Sequence, residues 1–460
     1  MRDDTTRSAL GRRDAMTTLA AVGLGTAALA TEATARPPAS QPTPAATDFA
    51  ITLMPAAGDM TRALQTAIDA AAARRLPLRL APGRYPVRGL QLRAGLDLSG
   101  SGRATRIDVT DAAGALTGDG ADGLRVSALT ISGARSTTKT AAQQGLLAIR
   151  NAADILVDDI AILAAPATAL TLERCGGRIR RVKVRAAGRA AIFSTDATGL
   201  TIADCDIADC ADNGVLVWTS KPAVDGTIVS GNRIARIAAA SGGSGQYGNG
   251  VNVFRAGAVI VAGNQISDCA FTAVRGNAAS NIQITGNTCQ RLGEVALYAE
   301  FGFEGALIQG NIVDRAACGI SVTNFNEGGR LAVIQGNLIR NLFRREQEPQ
   351  DKRGEGIAVE ADAAVTGNTI ENAPTAGIVI GWGRYMRNVV ASGNVIRAAG
   401  IGIAVSGDID AGTALITSNL VAGATRGAVR AMRLAEPIGG DLALLPAAGG
   451  RLLVQANAVG

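Results

Sequence analysis

The sequence predicts an all-β fold, a parallel β-helix of about 25 residues per coil, closed at its N-terminal end by one helix. Three observations carry this. A phrase of the form apolar-x-Gly-Asn-x-apolar recurs from residue 200 onward, with its asparagine at 232, 264, 287, 311, 337, 368 and 394, and at 419 after Ser418. The segments that follow alternate at period two, as in Val215-Leu216-Val217, Ile320-Ser321-Val322 and Ile403-Ala404-Val405, which is strand and not helix periodicity. The composition is 57 Gly with only 3% aromatics and 47% hydrophobic residues, suited to many thin stacked layers and unlike a disordered chain.

The corner comes first. Glycine and asparagine both tolerate left-handed backbone, and asparagines stacked at about 4.8 Å can bond amide to amide. The eight asparagines are therefore read as structural. Earlier coils keep the pattern with other corner residues, over Leu124–Ile131, Ile155–Ile162, Ile179–Val184 and Leu200–Ile207. The repeat register places Cys289 at the inward position held by Ile234 and Ile266 in other coils. It places Cys210 and Cys269 at another inward position, two coils and so about 10 Å apart, beyond disulfide reach. The cysteines are expected to be buried free thiols.

The N-terminal helix is predicted over 59–75, with Leu64, Ile68, Ala71 and Ala72 on one face and Asp59 as its N-cap. Before it, Arg2, Arg7, Arg12 and Arg13 precede a 15-residue apolar stretch, Met16 to Ala30, and an A-x-A site at Ala33-Thr34-Ala35. Residues 1–35 thus read as an export signal, with Arg12-Arg13 as a twin-arginine pair. The large apolar residue and lysine usual after such a pair are missing. Residues 36–48 form a Pro-rich spacer, 49–100 the cap helix and first strands, 101–435 the β-helix and 436–460 an irregular C-terminal cap. No later segment is apolar enough to span a bilayer. The protein is expected to be periplasmic or secreted, monomeric, and delivered by the twin-arginine machinery.

The segment ALQTAIDAAA, a strand, Pro82-Gly83-Arg84-Tyr85 and then LQLRAGLDLSGSG (90–102) resemble the opening of pectate-lyase-like single-stranded right-handed β-helix proteins. With the arginine pair and the Gly-Asn repeats, the chain is similar to the uncharacterised twin-arginine-translocated repeat family of that fold, over about residues 12–430. The resemblance implies right-handed coils. It leaves the activity open, since that superfamily holds lyases, hydrolases, epimerases and proteins with no known reaction, and it carries over no catalytic residue.

Charge and composition narrow the chemistry. The chain has no histidine, which excludes a Ser-His-Asp triad, a Cys-His dyad and an HExxH zinc site. The net charge is +6, and 41 of the 45 basic residues are arginine, so an acidic polymer is a candidate partner. No block of five bases appears, and nucleic acid is not expected.

Aligning the strands after each corner gives two outward rows. The first reads Leu216, Asn252, Arg275, Tyr298, Ser321, Ala358, Val379, Ala404. The second reads Trp218, Phe254, Asn277, Glu300, Thr323, Glu360, Gly381, Ser406. Insertions at 238–249 and 341–355 lead into strands bounding the polar stretch, as walls of a groove would. The candidate catalytic residues are Glu300, Glu360, Tyr298 and Arg275. The candidate substrate-binding residues are Asn252, Asn277, Trp218, Phe254 and Trp382. Glu300 and Glu360, two coils apart, suit an inverting hydrolase, whose carboxylates lie about 6.5–9.5 Å apart. Arg275 with Tyr298 suits β-elimination on a uronate. Glu300, Glu360 and Asn277 offer oxygens that would suit Ca²⁺. The function expected is action on a polysaccharide, by lyase, hydrolase or epimerase chemistry. The alternative is a non-catalytic glycan-binding or structural envelope protein. A groove would favour the first, a loop-covered face with paired residues the second.

Overall fold

A computed structural model describes residues 45–47, 49–111, 115–133, 144–348, 352–445 and 450–460. The expected export signal, and all of the spacer but 45–47, lie outside these residues.

Three parallel sheets wind around one apolar core. The first sheet runs from Ile51–Leu53 through strands such as Ile228–Ser230 and Ile260–Ala262 to Leu452–Gln455. The second runs from Gly83–Val87 through Arg233–Ile237 and Gln265–Cys269 to Ala458–Val459. The third runs from Leu90–Gln91 through Asn249–Gly257, Val274–Asn277 and Val295–Glu300 to Val429–Arg433. Each coil pairs in register with the next, so a residue column is a line of like positions. The inward columns are Val, Ile and Leu, nearly all below 2% exposed.

The corner asparagines form a continuous ladder between the first and second sheets. Asn311 shows the pattern. Its Nδ2 donates to Asn337 Oδ1 at 3.0 Å and to the Ile284 carbonyl at 2.9 Å, and its backbone N–H donates to the same Asn337 Oδ1 at 2.9 Å. The pattern holds from Asn232 to Asn419 and ends on Asn457, which the tail contributes after Ala456. Only the residue before each asparagine is left-handed, as at Gly336 with φ 62°. The glycine thus serves the backbone and the asparagine serves through its amide. A second glycine column, including Gly356, starts third-sheet strands. A Cβ on Gly356 would stand 2.3 Å from the Gly377 carbonyl oxygen.

The helix forms over Thr61–Arg74, two residues inside the expected start. Asp59 does not occupy the N-cap. Its Oδ1 accepts the Thr61 N–H at 2.9 Å from one position earlier. Ala63, Leu64, Ala67, Ile68 and Ala71 are buried, and Ala72 is not among them. The helix closes the first coil by satisfying its open backbone edge. Gln65 exchanges two hydrogen bonds with the Gln91 main chain, at 2.8 and 3.0 Å, and Thr61 Oγ1 accepts the Arg88 N–H at 2.8 Å. This is how a solenoid end avoids a bare edge. Tyr85 of Pro-Gly-x-Tyr is fully buried, its hydroxyl donating to the carbonyls of Leu53 or Ala81, each 2.8 Å away.

The tail is more regular than expected. Glu436–Asp441 pairs antiparallel with the last third-sheet strand, and Asp441 accepts the Ala428 and Val429 N–H groups at 2.6 and 3.0 Å. Leu452–Gln455 and Ala458–Val459 then add a further coil to the other two sheets. All six cysteines are buried and none is in a disulfide, as expected; the register places Cys210, Cys269 and Cys289 inward. No helix among the described residues is long and apolar enough to cross a membrane.

Candidate functional site

The two outward rows lie on the third sheet in the register expected. Asn252, Arg275 and Tyr298 are successive partners, as are Phe254, Asn277 and Glu300. The structure therefore brings Arg275, Tyr298, Asn277 and Glu300 together. Arg275 Nε and Nη2 donate to Glu300 Oε1 and Oε2 at 2.6 and 2.8 Å, and Asn277 Nδ2 donates to Oε1 at 3.0 Å. The guanidinium of Arg275 lies 5.0 Å from the centre of the Tyr298 ring, and that of Arg353 lies 5.5 Å from it. Arg353 Nη2 stands 3.4 Å from the Tyr298 hydroxyl.

This central stretch is covered, not a groove. Asn252 donates to the Gly245 carbonyl at 3.1 Å, within the 238–249 insertion. Glu294 accepts from Ser244 of that insertion at 3.2 Å and from Arg345 of the 341–355 insertion at 3.4 Å. Asp212 holds the same first insertion, its two oxygens accepting the Ser241 N–H and hydroxyl at 2.8 and 2.7 Å. Glu294 and Asp212 are both buried. Arg275, Tyr298, Glu300 and Asn252 are all at most 9% exposed beneath this cover.

Two carboxylates expected to act together are separately engaged. Glu300 is held by Arg275 and Asn277, whereas Glu360 accepts the Phe325 N–H at 2.6 Å. Burial pushes the Glu360 carboxyl up, opposed by that hydrogen bond. Burial also pushes the Tyr298 phenol up, with the Arg353 charge opposing, so a phenolate base is made scarcer. Among the described residues no group of three or more acidic or thiol side chains is placed to hold a metal ion. A cation on Glu300 would have to displace the Arg275 guanidinium.

Open space lies on either side of the cover. Toward the N-terminus the second outward row continues as Asp119, Arg150, Glu173, Thr195, Trp218 and Phe254, each the register partner of the next. These residues line a cleft of about 1010 Å³ that begins at Gln91. Phe193, Trp218 and Phe254 form an edge-to-face ladder along it, with ring centres 5.1 and 5.5 Å apart. Glu173 is bridged by Arg150 at 3.2 Å and Arg174 at 2.5 Å. Asp119 accepts from Asn151 at 2.7 Å and Asp196 from the Ser220 N–H at 2.7 Å. Trp218 and Phe254 were expected to bind substrate; the polar row beside them was not foreseen, because those coils lack the Gly-Asn corner that set the alignment. Toward the C-terminus, Trp382, 47% exposed, lines a smaller cleft of about 350 Å³.

The family model described as right handed beta helix region matches residues 168–335 and 247–396, within the stack of paired coils described above. The chain folds as a right-handed parallel β-helix. No curated protein matches this β-helix in sequence. Among solved structures it is similar to the tailspike protein of E. coli bacteriophage HK620, a double mutant in complex with a pentasaccharide. The TM-score is 0.53 at 11% identity, covering 80% of this chain and 73% of the tailspike. Bacteriophage phi29 gene product 12, in its pre-mature form, gives 0.49 at 14% identity over 81% of this chain and 63% of that one. This β-helix thus spans less than two thirds of the length of that phage protein. The A-module of a mannuronan C-5 epimerase from Azotobacter vinelandii gives 0.47 at 16% identity, over 74% of this chain and 95% of the module. The likeness is one of fold.

Proposed function

We propose that this β-helix is exported and binds an extended polysaccharide along the outward face of its third sheet, in the cleft from Gln91 to Phe254. One observation carries the reading. An aromatic ladder, Phe193–Trp218–Phe254, runs beside a row of hydrogen-bonding side chains in an open cleft of about 1010 Å³. Ring faces suit the apolar faces of sugars, and Asp119, Arg150, Glu173 and Thr195 suit their hydroxyls. The tailspike, crystallised with a pentasaccharide, is a protein of the same fold. The basic and apolar segments of residues 1–35 support export.

Catalysis at the centre is the weaker reading, because Glu300 is neutralised by Arg275 and both lie under loops. A hydrolytic second reading has one observation in its favour: Asp119 and Glu173 sit in one row, two coils and about 9–10 Å apart.

Calorimetric titration against a panel of neutral and acidic polysaccharides, with reducing ends followed in parallel, tests both. Binding should weaken roughly 30-fold in Trp218→Ala, about 2 kcal/mol for a central aromatic anchor. Binding by no polymer, or an unchanged Kd in a folded Trp218→Ala protein, refutes the proposal. Reducing ends that vanish in Asp119→Asn and in Glu173→Gln would make the cleft hydrolytic.

A further inference from the structure

The smaller cleft lies beyond the cover, on the third-sheet coils from Glu355 to Arg433, and its charge differs from that of the larger one. The larger cleft is lined by Asp119, Glu173 and Asp196 against Arg150 and Arg174. The smaller is lined by Arg344, Lys352, Arg353 and Arg426 against Glu355 and Glu436. One face therefore offers two clefts of opposite balance, separated by a closed centre.

The arginines of the smaller cleft are built into place. Arg344 comes from the second insertion and Arg426 from a turn three coils later, yet both meet at Thr375. Arg344 Nη1 donates to the Thr375 hydroxyl at 2.8 Å, and Arg426 Nη2 donates to the Thr375 carbonyl at 3.0 Å. Arg344 Nε also donates to Glu346 at 2.6 Å. Each guanidinium carries five N–H donors in a fixed fork, so these bonds orient it and leave donors over. Beside them Trp382 exposes 47% of its surface in the same cleft. A large aromatic left half open next to convergent arginines matches a ligand with an apolar ring face and an anionic substituent.

We propose that this cleft is a second, separate glycan site, taking one anionic sugar residue of an acidic polysaccharide. Arg344 and Arg426 take the carboxylate or sulfate, and the Trp382 indole takes the ring. This inference stands on its own cleft and does not need the larger one to bind.

The chain has two tryptophans, one in each cleft. Trp218→Phe leaves Trp382 as the sole indole reporter, and Trp382→Phe leaves Trp218. We would titrate each protein with trigalacturonate, with a sulfated disaccharide and with neutral cellotriose, following fluorescence. The Trp382 reporter should respond saturably to an acidic sugar and not to cellotriose. A response to the uronate, the sulfate or both states which anion the arginines accept. Kd should rise about tenfold in Arg426→Ala, the effect of one charge-assisted hydrogen bond, and should rise with added salt in the unsubstituted cleft. Silence toward both acidic sugars, an equal response to cellotriose, or a Kd indifferent to salt would each overturn the proposal. The Trp218 reporter reads the larger cleft separately, so failure of one site is not failure of the other.

Discussion

Arg275 and Glu300, on adjacent coils of the third sheet, are joined by two hydrogen bonds of 2.6 and 2.8 Å, with side chains only 8% and 3% exposed. Such a fork fixes the floor beneath the two insertions. It also leaves neither group free to act on a substrate in this conformation. A buried pair is costly to break from one side, because the remaining charge keeps its desolvation without its partner. Arg275→Ala should therefore destabilise the protein by about 3–5 kcal/mol, while Arg275→Met combined with Glu300→Leu should cost less than the single change. Denaturant melts of the three proteins check this. A double variant as unstable as the single one would mean that the pair is not the source of the loss.

How far this was legible in the sequence depends on the kind of contact. Period-two alternation put Arg275 beside Tyr298 and Asn277 beside Glu300, because in-register parallel strands convert sequence columns directly into neighbours. The same register placed Cys289 among core isoleucines. The cover was not legible: Ser244, Glu294 and Arg345 meet across about 50 residues, and insertions carry no periodicity to align. Asn457 was missed because alanine precedes it, and the row from Asp119 to Thr195 because its coils have other corners. Polar residues between two insertions read as a groove, whereas the insertions fold down onto them.

The asparagine ladder should be worth more in its middle than at its end. Asn337 accepts from both the N–H and the amide of Asn311 and donates to the Ile308 carbonyl, at a position 2% exposed. Asn337→Ala strands these groups away from water, each at about 1–3 kcal/mol, and should cost about 3–5 kcal/mol in total. Asn457 closes the ladder at a half-exposed position where water can replace it, so Asn457→Ala should cost about 1 kcal/mol. Equal losses at the two sites would show that stacking propagates cooperatively along the whole solenoid.

Glu360 should give the protein a pH dependence of the less usual sign. Burial raises its carboxyl above the ordinary 4.5. In the window between that value and the raised one, the folded state binds more protons than the unfolded state. Stability from this group is thus full below the unfolded value and lost as pH rises through the folded one. Glu360→Gln, neutral throughout and still able to accept the Phe325 N–H, should be relatively more stable toward neutral pH and should lack this decline. Parallel stability–pH curves for the two proteins would exclude the assignment.

The six thiols should be inert until the solenoid opens. All are buried and none is in a disulfide, and burial pushes Cys205, Cys210 and Cys289 up to about 12. Since the thiolate is the nucleophile, such a group near pH 8 is ionised in only about one molecule in ten thousand. Its position inside the sheet stack adds a second barrier, because reagent must wait for coils to separate. Native protein should therefore take up no label from an alkylating reagent over hours, while denaturant should expose six equivalents by mass. Partial labelling would locate the coils that open first. The end coils are the expected place, yet the cysteines lie between residues 175 and 318, away from both ends. Labelling of Cys175 ahead of Cys289 would mean that opening proceeds from the helix-capped end inward; the reverse order would place the weak point under the two insertions.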